Sequence, residues 1–167
     1  VLRESRFRTP CRTEREIGLW IDRIGASSAD DRVPNFRILG QYAAVAVTSG
    51  TGYCETPDRR MPVRAGDVIT VPPRVAVRYY PHESWITRWV VWNGPDAETL
   101  MRLDYLDAAP AVIRGAGRYV EQVLDDLQPG IRRADLAAVL ERKRAILTLI
   151  LDLYRASRQV NTTLSAD

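Results

Sequence analysis

The 167 residues carry 24 Lys plus Arg against 21 Asp plus Glu, a formal net charge of +3, with 46% hydrophobic and 27% charged residues. A chain of this length is one domain, or one with an appendage, and can hide roughly 70% of its unfolded surface without disulfide staples. No run approaches the ~18 apolar residues of a membrane span, residues 1–16 do not read as a secretory leader, and the arginines are too scattered for a nucleic-acid stripe.

Cys11 and Cys54 stand alone, with no CxxC spacing, and fit a reducing, cytoplasmic setting. Residues 1–16, which include RESRFRTPCRTER, are polar and lack a period; they read as a solvated, partly disordered arm. From Ile17 to about Trp92 the chain reads as at least six short strands separated by turn signals. QYAAVAVTSGTGYCE predicts two strands joined at Ser49-Gly50-Thr51-Gly52, RAGDVITVPP a tight turn at Ala65-Gly66-Asp67, and VAVRYY and SWITRWVVW two further strands joined around His82.

The character changes at Asn93-Gly94-Pro95-Asp96, where Pro and the acidic residues behind it mark a helix start. A second helix is predicted over about 116–128 and a third, the longest, over about 133–157. Apolar residues on the third form two stripes. Leu136, Leu140, Leu147, Ile150 and Tyr154 make one; Val139, Ile146, Leu149 and Leu153 make the other. One stripe can pack on the strands; the second predicts a homodimer through an antiparallel helix pair, and Val139, Ile146, Leu149 and Leu153 are the expected contact. The predicted layout is an arm (1–16), a β-barrel (17–94), a helical dimerisation subdomain (95–157) and the start of a polar linker (158–167).

In AGDVITVPPRVAVRYYPHESW, residues 65–85, Gly66, Pro72, Arg74 and Val77 fall where metal-dependent cupin barrels carry Gly, Pro, Gly and a ligating His. The spacing survives and the ligand does not. His82 is the one histidine of the sequence, so a three-imidazole site within one chain is impossible, and no metal or other cofactor is expected. No nucleophile elbow, zinc-protease, Walker or dinucleotide motif appears, and Asp67 reads as a turn-former rather than an acid catalyst.

Taken in order, RILGQYAAVAVTSGTGYC, RMPVRAGDVITVPPRVAVRYY and SWITRWVVWNGP resemble the N-terminal ligand-binding domain of AraC-type transcription regulators, over about residues 17–156. The resemblance implies a mainly β fold: a cupin-like double-stranded β-helix barrel followed by about three α-helices, the last forming a dimer interface. It also implies a bacterial, non-enzymatic sensor of a small-molecule effector. Such a sensor controls DNA binding through a C-terminal pair of helix-turn-helix motifs, which these residues lack. A metal-free cupin-fold enzyme, such as an isomerase, is the alternative.

The resemblance and strand alternation together nominate Tyr79, Trp89, Trp85, Thr87, Ser49 and Val77 as ligand-binding residues. Tyr79 and Trp89 match aromatic groups that line the sugar site of the arabinose regulator. Ser49 stands where that regulator has an arginine, and Thr87 where it has a histidine. With Ala43, Val45 and Val47 added, the lining is largely apolar and suits an aromatic or hydrophobic molecule rather than a pentose. The arm, with Phe7, Pro10 and Trp20, is expected over the opening.

Overall fold

The computed structural model describes residues 3–164, with side chains from residue 4 to 159. In chain order the elements are β1 (Arg3–Phe7), α1 (Arg12–Ile17), β2 (Trp20–Asp30), β3 (Arg37–Ile38), β4 (Tyr42–Thr56), β5 (Arg59–Arg64), β6 (Val68–Val71), β7 (Ala76–Asn93), α2 (Pro95–Arg102), β8 (Ala111–Ile113), α3 (Gly117–Leu127) and α4 (Leu136–Leu164). The strands are antiparallel in the order β1-β2-β7-β4-β6-β8, with β3 added to β7 and β5 to β4. The fold is thus mainly β with helices behind it, as expected, although the ladder does not close on itself.

Two predicted hairpins turn out to be single strands. β4 runs 15 residues and β7 runs 18, and they pair along almost their whole length. The Ser49–Gly52 segment is a pair of register shifts between Val47 and Ser49 and between Gly50 and Gly52. Such bulges bend and twist a strand, so that its two halves belong to different parts of the curved sheet. The glycines are there for close approach. A Cβ on Gly50, whose φ is +88°, would lie 2.2 Å from the Ser84 carbonyl oxygen, and one on Gly52 would lie 2.2 Å from that of Tyr80. His82, expected in a connection, is an exposed residue within β7.

Alternation along these strands divides the interior in two. Tyr42, Ala44, Ala46, Val90 and Trp92 face the helices, meeting Val120, Leu124, Ile146 and Leu149 in one cluster. Ala43, Val45, Val47, Trp85, Trp89 and Val91 point the other way, into the hollow of the sheet. The helix-facing core is anchored by Trp92, which is 1% exposed and stacks on Tyr42 with ring centroids 6.1 Å apart.

Three α-helices, α2, α3 and α4, follow the long strands, as expected, and among the described residues a fourth, α1, precedes them. α2 begins with Pro95 in its first turn, as predicted. Between α2 and α3 the chain returns to the sheet, where β8 pairs with β6, so residues 95–157 are not purely helical. The arm is ordered: β1 pairs with β2 and α1 follows, with residues 1 and 2 outside the described part. Residues 158–164, expected as linker, continue α4, and residues 165–167 lie outside the described part. No helix among the described residues is long and apolar enough to cross a membrane.

α4 corrects the choice of stripe. Val139, Ile146, Leu149 and Leu153 are 0–3% exposed and packed inside this chain, so they are unavailable as a dimer contact. Ile150 is buried too, whereas Leu136, Leu140, Leu147 and Leu151 lie on the outer face. The reason is register: both stripes recur at helical spacing, and only the approach of the sheet decides which is covered.

Candidate functional site: a hollow in the sheet

The hollow is a cavity of about 280 Å³ on the non-helical face of β2, β4 and β7. Ala43, Val45 and Val91 form its floor, and Tyr79, Trp85 and Trp89 its aromatic walls. Trp89 lies against β2 because its register partner is Gly25: a Cβ there would come within 2.4 Å of the indole. Tyr79 and Trp85 meet at a tilted 6.4 Å. Among these rings sits one polar pair, Ser27 Oγ and Thr87 Oγ1, 3.1 Å apart on adjacent strands.

Of the six nominated residues, Tyr79, Trp85, Thr87 and Trp89 come together around this cavity. Val77, fully buried, packs in the core beneath it and does not line it. Ser49 is exposed on the bulge, away from the cavity. Phe7, Pro10 and Trp20 do not reach the opening either; Phe7 is 70% exposed and lies under the Arg23 guanidinium. In their place, the segment between β2 and β3 supplies Arg32 and Pro34.

The charged rim was missed in the sequence. Arg23, Arg32 and Arg37 line the mouth together with one carboxylate, Asp30. Arg37 donates from Nη2 to the Tyr79 hydroxyl, and its guanidinium carbon lies 4.7 Å from the centre of that ring. Behind the Tyr79–Trp85 wall, Tyr80 donates to Glu55 Oε1 and Arg78 to Glu55 Oε2, both at 2.6 Å. The Tyr80 bond first, and then the Arg78 guanidinium, hold the Glu55 carboxyl below its ordinary range; burial above all, and then that same bond, push the Tyr80 phenol up. This network braces the wall and presents no free acid to the cavity.

The cupin-like scaffold positions are also accounted for. Gly66, φ +94°, makes the turn, and Asp67, 1% exposed, accepts from the backbone N–H groups of Arg64 and Gly115 and from Arg114. Arg74 keeps the left-handed backbone, φ +65°, that a glycine would take without strain, and its guanidinium forms a two-pronged pair with Glu98 at 3.1 Å. Among the described residues no group of three His, Cys, Asp or Glu is placed to hold a metal ion. Cys54 is fully buried, and that burial, with Glu55 beside it, pushes its thiol up to about 12.

A family model described as the AraC-like ligand binding domain matches residues 20–165. Curated protein sequences yield no match. Similar solved structures include YhaK from Escherichia coli (TM-score 0.48, 7% identity, 56% of this chain and 45% of that one) and a cupin-2 domain protein from Shewanella frigidimarina (0.40, 11%, 52% and 78%). An ethanolamine utilization protein Q from Salmonella typhimurium is also similar (0.40, 18%, 46% and 59%). This chain therefore spans less than two thirds of the length of two of the three.

Proposed function

This chain belongs to the AraC-like ligand-binding domain family, and from that membership we propose that it senses a small apolar or aromatic molecule in the hollow of its sheet. In this reading it acts in the cytoplasm of a bacterium as part of a longer, dimeric regulator. Occupancy of the hollow changes how helix-turn-helix units, outside these residues, are presented to DNA. Coupling of that kind is typically about 1–3 kcal/mol, enough to change occupancy of a promoter several-fold.

The observation that carries the reading is the aromatic-walled cavity of about 280 Å³, built from Tyr79, Trp85 and Trp89 around the Ser27–Thr87 pair. It has the make-up of a binding pocket: mostly apolar walls and a few polar groups for orientation. The lining contains no histidine, and its one carboxylate sits at the rim, which supports holding a molecule over transforming it. Calorimetry with a panel of small aromatic molecules tests it. A binder should be found, and Trp89→Ala should weaken it by about tenfold or more, in line with the loss of a stacked aromatic wall. Equal binding by the variant would remove this cavity as the site.

Dimerisation is assigned to the outer face of α4. Leu136, Leu140, Leu147 and Leu151 are 63, 49, 41 and 43% exposed and fall four, seven and four residues apart along one side of the helix. They form a one-sided apolar row, and a second copy of this chain would present the same row to it. Sedimentation should show a dimer that Leu147→Glu converts to a folded monomer; a monomer at every concentration for the unaltered chain would overturn it.

A further inference from the structure

The charges around the mouth narrow the chemistry of the bound molecule. We propose that the effector is an anion: a one- or two-ring carboxylate whose ring lies among Tyr79, Trp85 and Trp89 and whose carboxylate meets Arg23 and Arg37. This inference rests on the sensing reading above and goes beyond it in naming the ligand class.

Three arginines and one aspartate surround the opening, leaving an excess of two positive charges beside an otherwise apolar lining. Arg23 is aimed there by a bulge. β2 and β7 pair as Ile21↔Trp92 and then Arg23↔Val91, so that Asp22 is the extra residue. Ile21 consequently faces the helices and Arg23 the hollow, where uninterrupted alternation beyond Ile21 would have put Asp22.

Arg37 is held from the opposite side. The short β3 pairs with β7 at Arg37↔Val77, two residues before Tyr79, and the guanidinium is fixed both by the Tyr79 hydroxyl and over its ring. It forms no ion pair among the described residues, whereas Arg78 on the neighbouring strand is spent on Glu55. A guanidinium docked on a phenol keeps other N–H donors for a planar, two-oxygen acceptor. A carboxylate meets that demand with charge as well as geometry.

The volume sets the size of the apolar part. A dry cavity of about 150 Å³ takes a benzene ring. The present 280 Å³ is close to twice that and accommodates two fused rings or one ring with a side chain. Inside, the Ser27–Thr87 pair offers one further hydrogen bond for a substituent.

The test uses the full chain and three probes, benzoate, phenylacetate and 1-naphthoate, each compared with its neutral amide by tryptophan fluorescence and calorimetry. At least one carboxylate should bind about tenfold or more tightly than its amide, as loss of a charge-assisted pair implies. That ratio should fall close to one in Arg37→Gln and be reduced in Arg23→Gln, with circular dichroism unchanged. If the amides bind as tightly as the acids, and Trp89→Ala weakens both, the anion preference is wrong and the cavity remains the effector site. If none of the six molecules binds, both the anion preference and the aromatic-pocket reading fail.

Discussion

The two faces of the central strands are made from neighbouring residues yet behave as different materials. Val90 and Trp92 point into a core filled on the far side by α3 and α4; Trp89 and Val91, one position away, are buried too but border the cavity. The helix-facing side is closed by matched side chains and fastened by charge, with Glu14 of α1 accepting from Arg8 at 2.7 Å and from Arg142 of α4 at 3.0 and 3.1 Å. The hollow side spends its large residues on walls and leaves its centre empty. One sheet therefore packs a filled core on one face and borders a cavity on the other, and period-two alternation keeps the two sides apart.

That division can be broken most severely at Glu14. Its side chain is 1% exposed and Arg142 is 3% exposed, so Glu14→Ala strands a buried guanidinium and should cost about 3–5 kcal/mol in urea unfolding. Binding of any cavity probe to the remaining folded protein should be unchanged. The pH dependence has a definite sign. Burial raises the Glu14 carboxyl, but the Cys11 N–H and Arg8, with Arg142 behind them, outweigh it and hold it below its ordinary range. Its contribution is therefore fully present above the unfolded value of about 4.3 and is lost as the pH falls through the lower folded value. Urea midpoints measured downward from about pH 5 should decline, and Glu14→Gln should remove part of that decline.

A matched pair of truncations sharpens the contrast. Val90→Ala opens a void in the packed core and should cost about 2 kcal/mol or more. Val45→Ala, equally buried but already bordering the cavity, leaves fewer contacts unfilled and should cost about half as much while altering probe affinity. Equal costs would mean that the hollow is as tightly packed as the helical side. The smallest effect is expected at Arg74→Gly. It relieves a left-handed arginine and gives up an exposed pair with Glu98, so the urea midpoint should barely move.

The sequence was legible wherever a local pattern carried the information. Alternation in SWITRWVVW placed Trp85, Thr87 and Trp89 on one face, and Pro95 marked the start of α2. It misled where one pattern has two physical uses. Ser49-Gly50-Thr51-Gly52 has the composition of a hairpin turn, but its glycines admit the backbone of β7 at Ser84 and Tyr80, a demand set far along the chain. The two stripes of α4 were both visible, yet which one meets the sheet is a long-range fact. The arginines of the rim were invisible for the same reason: Arg23 reaches the hollow through a bulge and Arg37 through a two-residue strand, neither of which leaves a periodic trace.

The recognisable family segment begins at residue 20, and Glu14 lies upstream of it. A chain trimmed to that boundary would keep every residue that lines the cavity but lose the carboxylate that pairs with Arg142, leaving that guanidinium the carbonyls of Gly130 and Arg133. Versions that begin at residue 20 should therefore be less stable in urea than the longer chain, for a reason that has nothing to do with what the cavity holds.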